Sequence, residues 1–123
     1  VTIGDMRLPC QKPPWGTLSA VDSTTGNIVW QQAIGLSEAL PANKQNTGRP
    51  GRAAALVTAS NLLFIAATDD NRFRALDTAT GSELWVDTMD ARGNANPMTF
   101  MGTDGKQYLV ISAINSLVAY RLP

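Results

Sequence analysis

The feature that most constrains the fold is a twelve-residue pattern that occurs twice along the chain. Residues 19–30 read SAVDSTTGNIVW and residues 74–85 read RALDTATGSELW, which places the second copy 55 residues after the first. Both copies fit Ala-x-Asp-x-x-Thr-Gly-x-x-x-Trp, and their apolar positions agree as well. A repeat of about 50 residues that consists of short strands is typical of a β-propeller or a similar array.

Each copy of the pattern predicts a β-hairpin. An alternating strand ends at Asp22 or Asp77, whose carboxylate can accept hydrogen bonds from the backbone of the turn. Gly26 and Gly81 suit the positive φ angle that such a turn requires. A second strand then carries the tryptophan, so the two copies predict two hairpins of the same design.

The rest of the chain also has the alternating or short apolar runs of strands, separated by turn residues. The predicted strands outside the first hairpin are 53–58, 62–68, 72–77, 83–88, 97–101, 107–113 and 116–122. The strands therefore group as two, four and three, and the expected fold is all-β, with about two four-stranded antiparallel sheets. The expected segments are the outer strands of one blade at 1–34, a loop at 35–52, a complete blade at 53–90 and the inner strands of a last blade at 91–123.

Composition excludes several classes of function. The chain has 123 residues, and its 10 basic and 10 acidic residues balance, which argues against a nucleic acid or an anionic membrane as partner. No apolar run approaches the roughly 20 residues of a transmembrane helix. Because histidine is absent, this chain alone cannot form a Ser-His-Asp triad or a histidine-ligated metal site. The single cysteine, Cys10, is interpreted as structural.

The repeated pattern resembles the tryptophan-docking motif of the quinoprotein dehydrogenases, which use pyrroloquinoline quinone (PQQ). Further stretches are similar to the closing part of the membrane-type glucose and alcohol dehydrogenase branch, namely residues 10–22, 64–85, 96–100 and 104–113. The resemblance implies a periplasmic enzyme whose eight four-stranded blades surround PQQ and a calcium ion. It implies that this chain supplies the C-terminal blades, and that the enzyme oxidises a sugar or alcohol hydroxyl.

The resemblance also implies that the catalytic aspartate and the calcium ligands come from earlier blades. We therefore assign no catalytic residue and no metal ligand in this chain, and we expect the isolated chain not to bind PQQ tightly. The start of the chain, which has no methionine and no basic segment before an apolar one, agrees with a processed protein or a piece of a longer one.

Five residues are candidates for binding the cofactor. Pro50, Gly51 and Arg52 lie where members of the family carry an inner strand that faces PQQ, and a guanidinium suits the carboxylates of the quinone. Trp15 follows two prolines and is either a cap on the mouth of the active site or a packing residue. Asn96, at the start of an inner strand, either presents its amide to the axis or stabilises a turn. Arg52 is alternatively a solvated loop residue.

Two departures from the family pattern fall on the cofactor side. Ala53 and Ala54 stand where the family has a Gly-Gly pair, and a Gly-rich loop between the last two strands is reduced to residues 114–116. These changes leave a second hypothesis open, in which the chain is a non-catalytic domain derived from a propeller. Since a blade cannot bury both of its faces alone, the partners would then be copies of the chain itself rather than the remaining blades.

Two other features have structural interpretations. Residues 69–71 (Asp-Asp-Asn) resemble a calcium loop, but they lack the spacing and the closing glutamate of an EF-hand, so a β-turn is the better prediction. The rings of Trp30 and Trp85 are expected to pack between neighbouring blades rather than to stack on a quinone.

Overall fold

The computed structural model describes residues 2–3 and 6–123. In that part of the chain the regular structure is antiparallel β-sheet, apart from one short 3-10 helix at Ala42–Lys44. No helix among these residues has both the length and the apolar character needed to cross a bilayer. The chain divides into two compact units, residues 1–50 and residues 51–123.

The first unit contains two small sheets. Strands β1 (Thr2–Ile3) and β2 (Met6–Arg7) pair with each other, and β3 (Thr17–Val21) pairs with β4 (Ile28–Ala33). The hairpin of β3 and β4 is the first copy of the repeated pattern, as predicted. The pairing of β1 with β2 was not predicted, because strands of two residues leave no alternation to detect.

The second unit contains a four-stranded sheet followed along the chain by a three-stranded sheet, and in each sheet neighbouring strands are consecutive in sequence. The strands are β5 (Leu56–Val57), β6 (Leu62–Ile65), β7 (Arg72–Asp77), β8 (Glu83–Thr88), β9 (Met98–Met101), β10 (Gln107–Ala113) and β11 (Ser116–Arg121). The prediction of an all-β fold whose strands group as two, four and three is confirmed.

The two sheets of the second unit pack face to face. Leu109, Ile111 and Ala113 alternate along β10 and are buried, because successive side chains of a strand point to opposite faces. They meet Phe64 and Phe73 from the four-stranded sheet in one hydrophobic core. This core joins the two sheets of the unit.

The two hairpin turns have nearly the same hydrogen bonds. Asp22 Oδ1 accepts from the amides of Thr24 and Thr25, and Asp77 Oδ1 accepts from the amides of Ala79 and Thr80. The turn glycines, Gly26 and Gly81, have φ angles of 74° and 76°. In both hairpins the repeated alanine lies opposite the repeated tryptophan, and a bulge follows the alanine. The turn chemistry expected from the repeat is therefore confirmed.

The predicted strand at 53–58 is shorter than expected, because ladder pairing is restricted to Leu56–Val57. Before it, Gly51 forms an isolated bridge with Thr68, and the amide of Ala54 donates to a side chain instead of a strand. Small residues make a strand possible here but do not enforce one, because they offer little side-chain surface to pack.

The connection that follows β4 is compact. Ser37, Thr47 and Arg49 are buried, and the hydroxyl groups of Ser37 and Thr47 lie 2.7 Å apart within hydrogen-bonding distance. The amide of Arg49 donates to the carbonyl of Ile34 at 2.7 Å. The segment therefore folds as an Ω-like loop whose ends lie close together and whose own side chains fill it.

Candidate functional site

In the second unit, the segment before β5 carries two of the candidate residues. Gly51 is bridged to Thr68, and the amide of Arg52 donates to the carbonyl of Ala67 at 3.1 Å. A Cβ atom on Gly51 would contact Ala67 at 3.4 Å, so the backbone passes close to the end of β6. The side chain of Arg52 is exposed. The backbone at Arg52 is thus fixed while its guanidinium remains accessible to a ligand.

Asn96, another candidate, lies just before β9 and joins this same segment. Its Oδ1 atom accepts a hydrogen bond from the amide of Ala54 at 2.7 Å, across 42 positions of sequence. Because an amide oxygen is the acceptor, the NH₂ group is the part of this side chain that can donate to a ligand. The structure therefore ties Asn96 through Ala54 to the segment that contains Gly51 and Arg52, just before β5 and β9.

Beneath this segment lies a buried ion pair, which the sequence analysis missed. The guanidinium of Arg74 contacts both carboxylate oxygens of Asp70, and its Nη1 atom also donates to Thr68 Oγ1 at 3.0 Å. The side chains of Asp70 and Arg74 are 2% and 4% exposed. The prediction of a turn at 69–71 is confirmed by Asn71, which has a φ angle of 59°. The spacing of four residues between Asp70 and Arg74 in a strand-turn context was the available clue.

Trp15 belongs to the first unit. Its amide donates to the carbonyl of Thr47 and its Nε1 atom to the carbonyl of Gln11, each at 2.8 Å, so the half-buried indole is anchored at both positions. It lines a depression of about 330 Å³ together with Leu40 and Lys44. Its lining combines apolar residues with polar ones such as Asn43 and Asn46.

Pro50 ends the first unit and follows a tight crossing of two backbone segments. A Cβ atom on Gly16 would lie 2.1 Å from the carbonyl oxygen of Arg49, and one on Gly48 would lie 2.1 Å from the carbonyl oxygen of Gly16. Glycine is therefore required at both positions. The crossing fixes the backbone that leads to Pro50, whose side chain is exposed.

The second unit, residues 51–123, contains an apolar cavity with a volume of about 410 Å³. Trp85 and Tyr120 face each other there at 5.3 Å in an edge-to-face arrangement, and Trp85 also lies 6.0 Å from Phe73. The Tyr120 hydroxyl donates to the Asp87 carboxylate at 2.7 Å. Burial raises the pKa of Tyr120, and the bond to Asp87 raises it further. Trp85 thus connects the two sheets, which agrees with the packing role expected for it.

The described part of the chain brings no three histidine, cysteine, aspartate or glutamate side chains together as a metal site. Cys10 is exposed. The chemistry that the segment of Gly51, Arg52 and Asn96 can provide is the binding of an anion, through one guanidinium and one amide. A quinone with several carboxylates fits such donors.

Comparison with known proteins agrees with this description. Residues 1–109 match the family model described as "Glucose/ethanol/alcohol dehydrogenase, beta-propeller domain". The quinoprotein glucose dehydrogenase of Escherichia coli (strain K12) is 40% identical over 94% of the chain, and the glycerol dehydrogenase large subunit of Gluconobacter oxydans (strain 621H) is 35% identical over 93%. The chain spans 16% and 18% of the lengths of these two proteins.

Among solved structures, a europium-containing methanol dehydrogenase superposes with a TM-score of 0.60 and 30% sequence identity. The match covers 77% of the chain and 14% of that structure. The strand order, the two matching hairpins and these similarities lead to the same conclusion. The chain folds as β-propeller blades and belongs to the family of PQQ-dependent glucose, ethanol and alcohol dehydrogenase propeller domains.

Proposed function

We propose that this chain is part of a periplasmic quinoprotein oxidoreductase that oxidises a sugar or alcohol hydroxyl. In this proposal residues 1–34 are outer strands of one blade, 53–90 a complete blade and 91–123 the inner strands of the last blade. The chain closes an eight-bladed ring and lines part of the cofactor cavity. The observation that carries the proposal is the hydrogen bond from the amide of Ala54 to Asn96 Oδ1, which ties Asn96 to the segment that carries Arg52.

The cofactor would be held on this chain by Arg52 and Asn96, with Gly51 permitting close approach. When bound, PQQ would supply the two-electron acceptor for the hydride that leaves the carbon carrying the hydroxyl. The guanidinium of Arg52 is always charged and can bind a carboxylate through two parallel N–H groups. The amide nitrogen of Asn96 can donate to a further oxygen. Both groups orient the ligand and neutralise its charge, and neither takes a proton from the substrate.

Other parts of the protein would complete the active site. The catalytic aspartate and the ligands of a calcium ion are expected from blades outside this chain, as in the family. Trp15 and Pro50 are proposed as further contacts to the cofactor or to the mouth of its cavity. The Ala53-Ala54 pair and the short loop at 114–116 would then change the shape of the cavity rather than abolish it.

The proposal is tested by substituting Arg52 in the full-length protein. We expect Arg52→Ala to raise the Kd for PQQ, measured by quenching of tryptophan fluorescence with calcium present, roughly tenfold or more. Arg52→Lys should recover only part of the affinity, because a lysine ammonium lacks the planar fork. Lys106→Ala is the matched control, since Lys106 lies in the hairpin turn beyond the other end of β9.

Two results would contradict the proposal. An unchanged Kd in Arg52→Ala would remove Arg52 from the cofactor cavity. A full-length protein that binds PQQ but reduces no electron-accepting dye with any sugar or alcohol would argue against the oxidoreductase function.

The second candidate function is a non-catalytic module that assembles with copies of itself. The observation that favours it is an exposed apolar face on the three-stranded sheet, which includes Met98, Phe100 and Leu117. Either remaining blades or further copies could cover such a face. Failure of the full-length protein to bind PQQ, together with a defined homo-oligomer in sedimentation experiments, would support this function instead.

A further inference from the structure

We infer that Asp70, Arg74 and Thr68, defined here as the buried cluster, are positioning residues that hold the segment of Gly51 and Arg52 in its place at the inner strands. The inference rests on the proposed function, because it assigns the cluster to the candidate cofactor site. It goes beyond the proposed function because it assigns a role to residues that do not themselves bind the cofactor or the substrate. It also predicts that hydrogen exchange of the Arg52 amide depends on these residues.

The first step is the geometry of the cluster. Arg74 forms a fork to the carboxylate of Asp70 and donates from Nη1 to Thr68 Oγ1 at 3.0 Å. The Thr68 hydroxyl in turn donates to Asp70 Oδ1 at 2.6 Å. Asp70 Oδ1 also lies 3.3 Å from the amide nitrogen of Arg72, which donates to it. The three side chains therefore bond one another and the backbone after β6, and they fix the path of residues 68–72.

The second step connects the cluster to the candidate site. Thr68, whose side chain belongs to the cluster, pairs through its backbone with Gly51. The carbonyl of the preceding residue, Ala67, accepts from the amide of Arg52 at 3.1 Å. Residues 67–68 are thus held in place by the side-chain bonds of the buried cluster. Their backbone in turn bonds the backbone of Gly51 and Arg52.

The third step concerns why the cluster is ionic. Removing two charges from water is costly, and hydrophobic residues of similar volume often support a fold as well as a buried ion pair does. However, the two parallel hydrogen bonds between a guanidinium and a carboxylate form only in a narrow range of geometries, whereas apolar packing imposes no such directional constraint. The cluster therefore specifies one position for residues 67–68 and, through the bond from the Arg52 amide to the Ala67 carbonyl, for the backbone from which the Arg52 side chain extends.

A hydrogen-exchange experiment on the full-length protein without cofactor tests the inference. We expect Asp70→Asn to accelerate exchange of the Arg52 amide roughly tenfold, because the fork is lost and local opening becomes easier. Thr68→Val keeps the backbone and the side-chain volume but lacks the hydroxyl, and it should accelerate the same amide to a smaller extent. The amide of Gly81, which donates to the carbonyl of Asp77, should keep its exchange rate in both variants.

The matched control is Glu83→Gln. Glu83 accepts from the Nε atom of the same arginine at 3.2 Å, but its side chain is about half exposed. Because a solvated ion pair contributes little, this substitution should leave the exchange of the Arg52 amide unchanged. If the loss of any bond to Arg74 accelerated exchange of the Arg52 amide, the acceleration would appear in Asp70→Asn, Thr68→Val and Glu83→Gln alike.

Equal acceleration at Arg52 and Gly81 in both Asp70→Asn and Thr68→Val, or no acceleration at Arg52, would overturn the inference. The assignment to the cofactor site has a separate readout, since Thr68→Val should also raise the Kd for PQQ. If exchange accelerates at Arg52 while this Kd stays at the wild-type value, the cluster does not serve the cofactor site. That result leaves the proposed function intact, because the proposed function is tested by Arg52→Ala.

Discussion

At the scale of single residues, the turns of the repeated hairpins combine two devices. The carboxylates of Asp22 and Asp77 accept hydrogen bonds from the turn, and Gly26 and Gly81 provide positive φ angles. The pKa of Asp22 is lowered by bonds from the hydroxyl and amide of Thr24, and that of Asp77 by bonds from the amide and hydroxyl of Thr80. Both carboxylates therefore favour the folded state in their charged form.

The lowered pKa values predict how stability depends on pH. Unfolded aspartate has a pKa of about 3.9, so the contribution is present above that value and is lost as the pH falls through the lower folded-state pKa. We expect the Tm, measured by circular dichroism, to fall less between about pH 5 and about pH 2.5 in the Asp22→Asn/Asp77→Asn protein than in the wild type. Each single substitution should have a smaller effect. A double variant with the full acid sensitivity of the wild type would contradict the prediction.

Ile114 shows the opposite situation, in which a residue is unsuited to its conformation. It has a φ angle of 54° in the loop of two residues between β10 and β11, a conformation that β-branched residues rarely adopt. Its side chain is 67% exposed, so little burial compensates. Ile114 lies in the loop at 114–116 that the sequence analysis singled out.

We therefore expect Ile114→Asn to stabilise the protein by about 1 kcal/mol, because asparagine tolerates the left-handed region. The free energy of unfolding is measured by urea titration. Ile114→Val keeps the branched Cβ and should give no gain. A loss of stability in the asparagine variant would indicate that the isoleucine side chain contributes more by packing than it costs in strain.

At the scale of elements, Trp85 on β8 and Tyr120 on β11 connect the two sheets of the second unit. The rings meet edge to face at 5.3 Å, although the tryptophan remains 41% exposed. The equivalent tryptophan, Trp30, has the same place in its hairpin, opposite Ala20. The repeated motif predicted that the tryptophan packs between neighbouring sheets, but the identity of its aromatic partner depends on how the sheets pack.

A double-mutant cycle measures this contact. We expect Trp85→Ala to destabilise the protein by about 2 kcal/mol, less than a fully buried indole, and to show a coupling energy of about 1 kcal/mol with Tyr120→Ala. Phe100→Ala is the control, because Phe100 stacks on Tyr108 at 5.4 Å, away from Trp85. Its effect should add to that of Trp85→Ala. Additivity in both pairs would mean that Trp85 and Tyr120 do not interact energetically.

At the scale of the whole molecule, the three-stranded sheet exposes an apolar face that is typical of an interaction surface. The face of the three-stranded sheet opposite the core includes Met98, Phe100 and Leu117, and Leu117 is 75% exposed. Side chains that lie opposite each other on neighbouring strands share a face, so Ser112 and Leu117 belong to this same surface. Contiguous apolar patches of this kind usually mark interaction sites.

We expect the isolated chain of 123 residues to self-associate at micromolar concentration, as measured by size-exclusion chromatography with light scattering. Phe100→Ser/Leu117→Ser should shift it toward the monomer. Ile114→Asn serves as the control, because Ile114 is an exposed apolar residue at a loop tip, and it should leave the association unchanged. A wild-type chain that remains monomeric would show that the exposed apolar face of the three-stranded sheet does not drive association.

The sequence by itself determined the local features of this protein: the two hairpins, their Asp and Gly turns, most strand boundaries and the family. The hairpins, turns and strands follow from contacts between residues a few positions apart, where turn chemistry and alternation act directly, whereas the family follows from the repeated motif. Only the tertiary structure decided the bond between Asn96 and Ala54, the ion pair of Asp70 and Arg74, and the short extent of β5. The reason is physical, since small residues such as Ala53 have weak local preferences and distant or buried groups find partners only when the segments pack.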